Sequence, residues 1–229
     1  MATLAQLQAA KSYSDLAAIF SIPAPSIAHA IYAGAGGYGY HRFDIPKRNG
    51  GGRSIEAPTG VRRLIQKQLE PILIAAYQPS SQAHGFIADR SVASNARPHV
   101  GRRSVVNVDL KDFFHSITFK RIRGVLLAAP FRFDWRVATI LAQACCCDGR
   151  LPMGGITSPV LSNLVAARLD KRLDRLCSRI GGTYTRYADD LTFSFDRPPS
   201  QLSGIVSYDS EGKPNVGPMV IEVLSQEGF

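Results

Sequence analysis

The sequence predicts an α+β fold in which a small antiparallel sheet packs with helices. Two stretches point to the sheet. Residues 182–195 alternate at period two on both sides of a short centre. Tyr184, Arg186 and Ala188 point one way and Thr185 and Tyr187 the other, after which Leu191, Phe193 and Phe195 alternate with Thr192 and Ser194. Such a run, rich in aromatic and β-branched residues and broken by small and acidic ones, reads as a β-hairpin. A further strand starts at Ser104 and ends in an acid, Asp109, ahead of the aromatic pair Phe113-Phe114. The helices follow from a third observation. Val61, Leu64, Ile65, Leu69, Leu73 and Tyr77 recur at helical spacing, as do Val160, Leu161, Leu164, Val165, Leu169, Leu173 and Leu176.

In chain order, residues 3–35 read as short helices, with Ser14-Asp15 and then Ser26 as caps and Gly34 to Gly37 as the stop. Residues 40–58 read as a β-hairpin whose tip is basic and glycine-rich, because Asn49-Gly50 followed by two more glycines is a strong turn signal. Pro71 should kink or divide the helix after Val61. A helical stretch leads into Asn95 to His99. Beyond the Asp109 strand, residues 119–129 and 135–144 read as two helices capped by Thr118 and Asp134 and separated by Pro130, with Trp135, Ile140 and Leu141 in the core. Ser158 is a good N-cap and Pro159 suits the first helical position. Ser207 to Gly217 reads as a polar loop, and Met219 to Leu224 as a short helix or strand.

Composition excludes some function classes. A chain of 229 residues, 45% hydrophobic and 20% charged, can bury a core as one large domain or two small lobes. No apolar run approaches the ~18–20 residues that span a bilayer, and the N-terminus lacks a signal-peptide layout, so a cytoplasmic protein without membrane partners is expected. Cys145, Cys146, Cys147 and Cys177 have no disulfide or zinc spacing and read as reduced core residues. The net charge of +9 is uneven. Residues 198–229 hold four acids against Lys213, which concentrates the positive excess in the preceding chain. That excess suits a polyanionic partner.

The chemistry sits at the hairpin tip. Asp189 and Asp190 are adjacent carboxylates, each resisting ionisation while the other is charged, and a hard divalent cation removes that penalty. Alone, the pair reads first as a solvated Asp-Asp turn. With Asp109 at a strand end, the three carboxylates are the set required for two-metal phosphoryl or nucleotidyl transfer. Lys47, Arg48 and Arg53 on the glycine-rich loop are placed to close over a triphosphate, or else form a solvated basic turn. Arg62, Arg63 and Lys67 lie off the apolar stripe of their helix, where they track a nucleic-acid backbone or make a charged solvent face.

These boxes resemble the reverse transcriptases, and more narrowly the bacterial retron reverse transcriptases. Tyr187-Ala188-Asp189-Asp190 is similar to the family's catalytic hairpin. Asp109 with Phe114 five residues later resembles its first palm motif, and residues 151–164, Leu-Pro-Met-Gly-Gly-Ile-Thr-Ser-Pro-Val-Leu-Ser-Asn-Leu, resemble the motif between them. Asn95-Ala96-Arg97-Pro98-His99 is similar to the Asn-Ala-x-x-His signature of the retron enzymes. The resemblance implies a right-hand fold with N-terminal helices at 1–36, fingers at 37–103 and palm at 104–229. It implies RNA-directed DNA synthesis on a structured non-coding RNA, with deoxynucleoside triphosphates as substrates, two Mg²⁺ ions as cofactors and a part in antiviral defence. Asp109, Asp189 and Asp190 become the catalytic metal ligands. Lys47, Arg53, Phe114, Met153 and Gly154 become nucleotide contacts, with Phe114 crowding a ribose 2′-hydroxyl. Arg62, Arg63, Lys67, Arg90, Asn95 and His99 become RNA contacts, although His99 taken alone reads as a satisfied structural histidine and its place in the signature also suits organising the fingers–palm junction.

Two departures bear on function. Met153 stands where the family commonly has Gln, which removes a polar contact near the incoming nucleotide. The family's thumb, with its Val-Thr-Gly box, has no counterpart before Phe229, so the expectation is a thumb-less chain: a truncated product, or one completed by a separately encoded thumb and working with an effector protein. The competing readings are a catalytically impaired RNA-binding remnant and another bacterial reverse transcriptase, from a group II intron or a different defence system.

Overall fold

A computed structural model describes residues 2–32, 39–46 and 50–229. In chain order the helices and strands are α1 (Leu4–Ala9), α2 (Tyr13–Phe20), α3 (Ala24–Tyr32), β1 (Tyr40–Pro46), β2 (Gly52–Pro58), α4 (Gly60–Ala76), α5 (Val92–Ala96), β3 (Ser104–Asp109), α6 (Phe113–Ser116), α7 (Phe119–Leu127), α8 (Trp135–Ala144), α9 (Ser158–Arg179), β4 (Gly182–Tyr187), β5 (Asp190–Phe195), β6 (Val206–Tyr208), β7 (Pro214–Val216) and α10 (Pro218–Glu227). They divide into two compact units, one of residues 1–77 and 114–165, the other of residues 78–113 and 166–229. The mixture of helices and small antiparallel sheets is the α+β class expected.

In the first unit, β1 and β2 form the antiparallel hairpin read from 40–58. The basic tip residues Lys47, Arg48 and Asn49, and the expected stop at Gly34 to Gly37, lie outside the described residues. The unit is knitted by Gln66 of α4, which is fully buried. Its amide donates to the Ala144 carbonyl at 2.8 Å and to the Tyr40 hydroxyl at 2.9 Å, and its oxygen accepts from Ile156 N–H at 2.9 Å. Gly154 and Gly155 are explained by packing against their own chain. At Gly154, φ is +117° and a Cβ would fall 2.7 Å from Ile55. At Gly155 it would fall 2.4 Å from the Ser158 hydroxyl.

Several local expectations are corrected. Ser12, not Ser14, caps α2, because Asp15 at the third helical position returns the bond to the cap backbone. Ser26 lies inside α3. Of the two outcomes expected at Pro71, division is excluded, since α4 runs through it with Ile65, Leu69, Ile72 and Leu73 buried on both sides. Trp135 is 56% exposed, its ring under the Arg136 guanidinium, while Ile140 and Leu141 are core. Ser158 begins α9 itself, and its hydroxyl has no hydrogen-bond partner among the described residues. Residues 207–217 are not a plain loop, because β6 and β7 pair there. All four cysteines are free and buried, as expected.

The second unit is built on a three-stranded antiparallel sheet of order β3-β5-β4. The register gives its two faces different chemistry. One face aligns Tyr184 and Arg186 of β4 with Phe193 and Leu191 of β5, and these with Val106 and Val108 of β3. The other aligns Thr185 and Tyr187 with Thr192 and Asp190, and these with Asn107 and Asp109. The period of two seen in the sequence is this separation of an interior face from a polar one.

Candidate active site

The sheet brings the three carboxylates to one end of its polar face. Asp109 ends β3 and Asp190 begins β5, and they are directly opposed partners. Opposed residues send their side chains to the same side of a sheet, with Cβ atoms about 4.5–5.5 Å apart. Tyr187 opposes Asp190 from β4, leaving Ala188 and Asp189 as a two-residue turn. Ala188 has φ 57°, a left-handed conformation that costs an L-residue about 1–2 kcal/mol. The Asp189 carbonyl accepts the N–H of Leu110, just past β3, at 3.0 Å. Gly85 lies against the same turn, where a Cβ would stand 2.5 Å from the Ala188 nitrogen.

Asp109 and Asp190 are exposed and Asp189 is half-buried. The Asp190 carboxyl is held above the ordinary carboxylate range, first by partial desolvation and then by the charges of Asp189 and Asp109. Both neighbouring acids therefore act on Asp190. A hard cation relieves such repulsion, and an all-carboxylate donor set suits Mg²⁺ or Mn²⁺ rather than a thiol-seeking metal. By donor type the residues suit a divalent ion, which would draw them together, since the three-donor group with ligand atoms within 4.8 Å of one another among the described residues lies elsewhere.

A second donor cluster, in the first unit, is already neutralised. Glu56, Cys147 and Asp148 bring ligand atoms within 4.8 Å of one another. The Arg42 guanidinium stands among them, 3.3 Å from a Glu56 oxygen, donating to the Cys147 sulfur at 3.4 Å and paired with Asp148. Burial pushes the Cys147 thiol up to about 11.

The other expected site residues separate by burial. Arg53, Arg63 and Lys67 are exposed. Met153 is half-buried and Gly154 exposed, and the Met153 carbonyl accepts the Glu56 N–H at 2.7 Å, tying that motif to β2. Phe114 is half-buried in α6, and its carbonyl accepts the Ile117 N–H at 3.1 Å. Arg62 is corrected from RNA contact to interior residue. It is 6% exposed, donating to the Gln143 and Cys146 carbonyls with its guanidinium over the Tyr40 ring. His99 is likewise interior, 6% exposed, with Nδ1 2.6 Å from the Ser194 hydroxyl and Nε2 2.8 Å from the Thr185 hydroxyl. It bridges β5 and β4. Asn95 is buried and accepts at its backbone carbonyl from Thr185 at 3.4 Å. Arg90 is half-buried and donates to the Ser80 and Ala83 carbonyls, closing its own loop.

Two residues that the spacing does not single out lie directly behind the turn. Arg186 is completely buried on the interior face, its Nε and Nη2 donating to the two oxygens of Asp170 at 2.8 Å each. Its Nη1 donates to the Ala188 carbonyl at 3.0 Å, and Tyr184 donates to Asp170 at 2.9 Å. The available signal was that Arg186 shares its strand face with Tyr184, Leu191 and Phe193, a position where an unpaired charge would be untenable.

Comparison with known proteins places the chain in a family. The family model for reverse transcriptase (RNA-dependent DNA polymerase) matches residues 45–208. The chain is similar to the Retron Mx65 reverse transcriptase of Myxococcus xanthus, 43% identical over 175 residues, covering 69% of this chain and 40% of that protein. It is 38% identical over 176 residues to the Retron Mx162 reverse transcriptase of the same organism, covering 69% and 36%. To the Retron Ec86 reverse transcriptase of Escherichia coli it is 34% identical over 142 residues, covering 62% and 44%. The aligned regions thus span less than half the length of these relatives.

Proposed function

Because this chain belongs to the reverse transcriptase family, in its bacterial retron type, we propose that its carboxylate turn serves RNA-templated DNA synthesis. The observation that carries the reading is the register. Asp109 and Asp190 are opposed across β3 and β5, and Asp189 sits beside Asp190 in the β4–β5 turn, so two stretches distant in sequence bring three carboxylates to one end of the sheet. Two Mg²⁺ ions held by Asp109 and Asp189, with Asp190 as the third carboxylate, would activate a primer hydroxyl and neutralise charge on the triphosphate and leaving pyrophosphate.

The chain's own residues orient and neutralise. Asp109 ends a paired strand, and the Asp189 carbonyl is tied to Leu110 N–H beside it, which is the kind of positioning that nucleotidyl transfer demands of a protein. Arg53 of β2 and, from the sequence pattern, Lys47 are assigned to the triphosphate, as cationic partners for its oxygens. Phe114 is assigned to exclude a 2′-hydroxyl, and Arg63 and Lys67 to the phosphate backbone of a structured RNA template.

Single-nucleotide incorporation on a primer annealed to RNA tests the reading. The wild-type chain is expected to add deoxynucleotides in a divalent-dependent way. Asp109→Asn and Asp189→Asn are expected to fall to background, a loss of at least ~100-fold, while binding RNA within about twofold of wild type. Equal incorporation by either variant would overturn the assignment.

A further inference from the structure

We propose that Arg186 and Asp170 form a buried strut that aims Asp189, making Arg186 a positioning residue for the metal-bearing turn. This rests on the reading of Asp189 as a metal ligand. The argument begins with a cost. A guanidinium taken wholly out of water is untenable unless its donors are paired, and a buried ion pair is often no more stable than apolar residues of the same volume. Arg186 is fully buried and Asp170 is too. Stability alone therefore gives weak reason for this arrangement, and what it does supply is orientation.

The orientation can be followed bond by bond. The planar fork is fixed at one end by both Asp170 oxygens on α9. Asp170 is itself held by the Tyr184 hydroxyl, and the guanidinium carbon stands 5.9 Å from the Phe113 ring centroid. The remaining arm, Nη1, holds the Ala188 carbonyl at 3.0 Å. That carbonyl belongs to the peptide plane entering Asp189. The plane leaving Asp189 is held separately, because its carbonyl accepts from Leu110 at 3.0 Å. With both flanking planes fixed, the Asp189 Cα–Cβ bond has one direction. Without Arg186 the entering plane is free to rotate, in a turn where Ala188 already sits at φ 57°. Lysine cannot replace the strut, since one ammonium cannot span two carboxylate oxygens and a carbonyl as a rigid fork does.

The test uses the full chain and Mn²⁺ as the probe, with affinity read by electron paramagnetic resonance alongside melting temperature. Wild type against Asp189→Asn first defines the metal binding that depends on Asp189. Arg186→Lys and Arg186→Met are expected to weaken that component at least ~10-fold, with incorporation partly recovered at high Mn²⁺. Because either variant also breaks a buried ion pair and so lowers stability, a volume-matched apolar replacement, Asp170→Leu with Tyr184→Phe and Arg186→Met, separates the two effects. It is expected to melt within a few degrees of wild type and still bind Mn²⁺ at least ~10-fold more weakly. Wild-type affinity in a folded variant lacking Arg186 would overturn the strut. Equal Mn²⁺ binding by wild type and Asp189→Asn would instead overturn the reading of the carboxylates on which it rests.

Discussion

At the scale of single residues, Asp190 bears the electrostatic cost of the carboxylate cluster. Its pKa in the fold lies above the unfolded value, through desolvation and then the charges of Asp189 and Asp109. The native state therefore keeps a proton in a window where the unfolded chain has released it, so stability is lost as pH rises through that window and the penalty is complete at neutral pH. Asp190→Asn should accordingly raise the melting temperature of the metal-free protein at pH 7, by ~1–3 °C for so exposed a group. The gain should vanish below about pH 4, the ordinary range of the carboxylate, and shrink as divalent metal is added. Calorimetry across pH, with and without Mn²⁺, reads all three outcomes. A variant less stable than wild type at pH 7 would contradict the mutual repulsion.

At the scale of elements, the β4–β5 hairpin is tied together from its polar face by His99. One imidazole joins Ser194 of β5 to Thr185 of β4, so the ring acts as a cross-strand clamp well inside the chain. His99→Ala should cost about 1–3 kcal/mol, because buried hydroxyls lose a partner, and should leave RNA affinity within about twofold. A large loss of RNA binding in a still-folded variant would restore His99 to the RNA surface. The pH dependence has a definite sign. Desolvation, with Arg102 and His84 nearby, lowers the His99 pKa, so the unfolded chain takes up its proton first. Stability should be complete above about pH 6.5 and decline below it, with a shallower decline in His99→Ala. His84, also lowered and bonded to Ser94, adds a contribution of the same sign.

At the scale of the whole molecule, a net charge of +9 predicts RNA binding dominated by counterion release. Burial distinguishes the cations available to such a partner. Arg63 and Lys67 are exposed, whereas Arg62 is committed to the Gln143 and Cys146 carbonyls. Replacing Arg63 or Lys67 by Gln should reduce the slope of log affinity against log salt by about 0.7 each, the value for one contact to a single strand. Arg62→Gln should leave the slope unchanged and lower the melting temperature instead. Salt titrations of RNA binding by fluorescence anisotropy check this, and an unchanged slope in Arg63→Gln would remove that residue from the interface. Among the described residues no helix is long and apolar enough to cross a membrane.

The sequence by itself determined β1 to β5, most helices and the three carboxylates at the end of the sheet, but neither the β6–β7 pair nor Asp170. Alternation, turn residues and apolar periodicity are local properties, so residues 182–195 declare a hairpin and the run from Val61 declares a helix without help from the rest of the chain. Only the tertiary structure decided which charged and aromatic side chains go inside. Arg62, Arg63 and Arg186 look alike in sequence, yet one is exposed and two are buried. The outcome depends on whether a distant element supplies partners: Asp170 from α9 for Arg186, and the carbonyls of Gln143 and Cys146 for Arg62. Pro71 stays within a helix, and Trp135 faces solvent, for the same kind of reason. Local propensities of a few kcal/mol yield to the burial of a whole apolar face, and which face is buried is settled only when the elements meet.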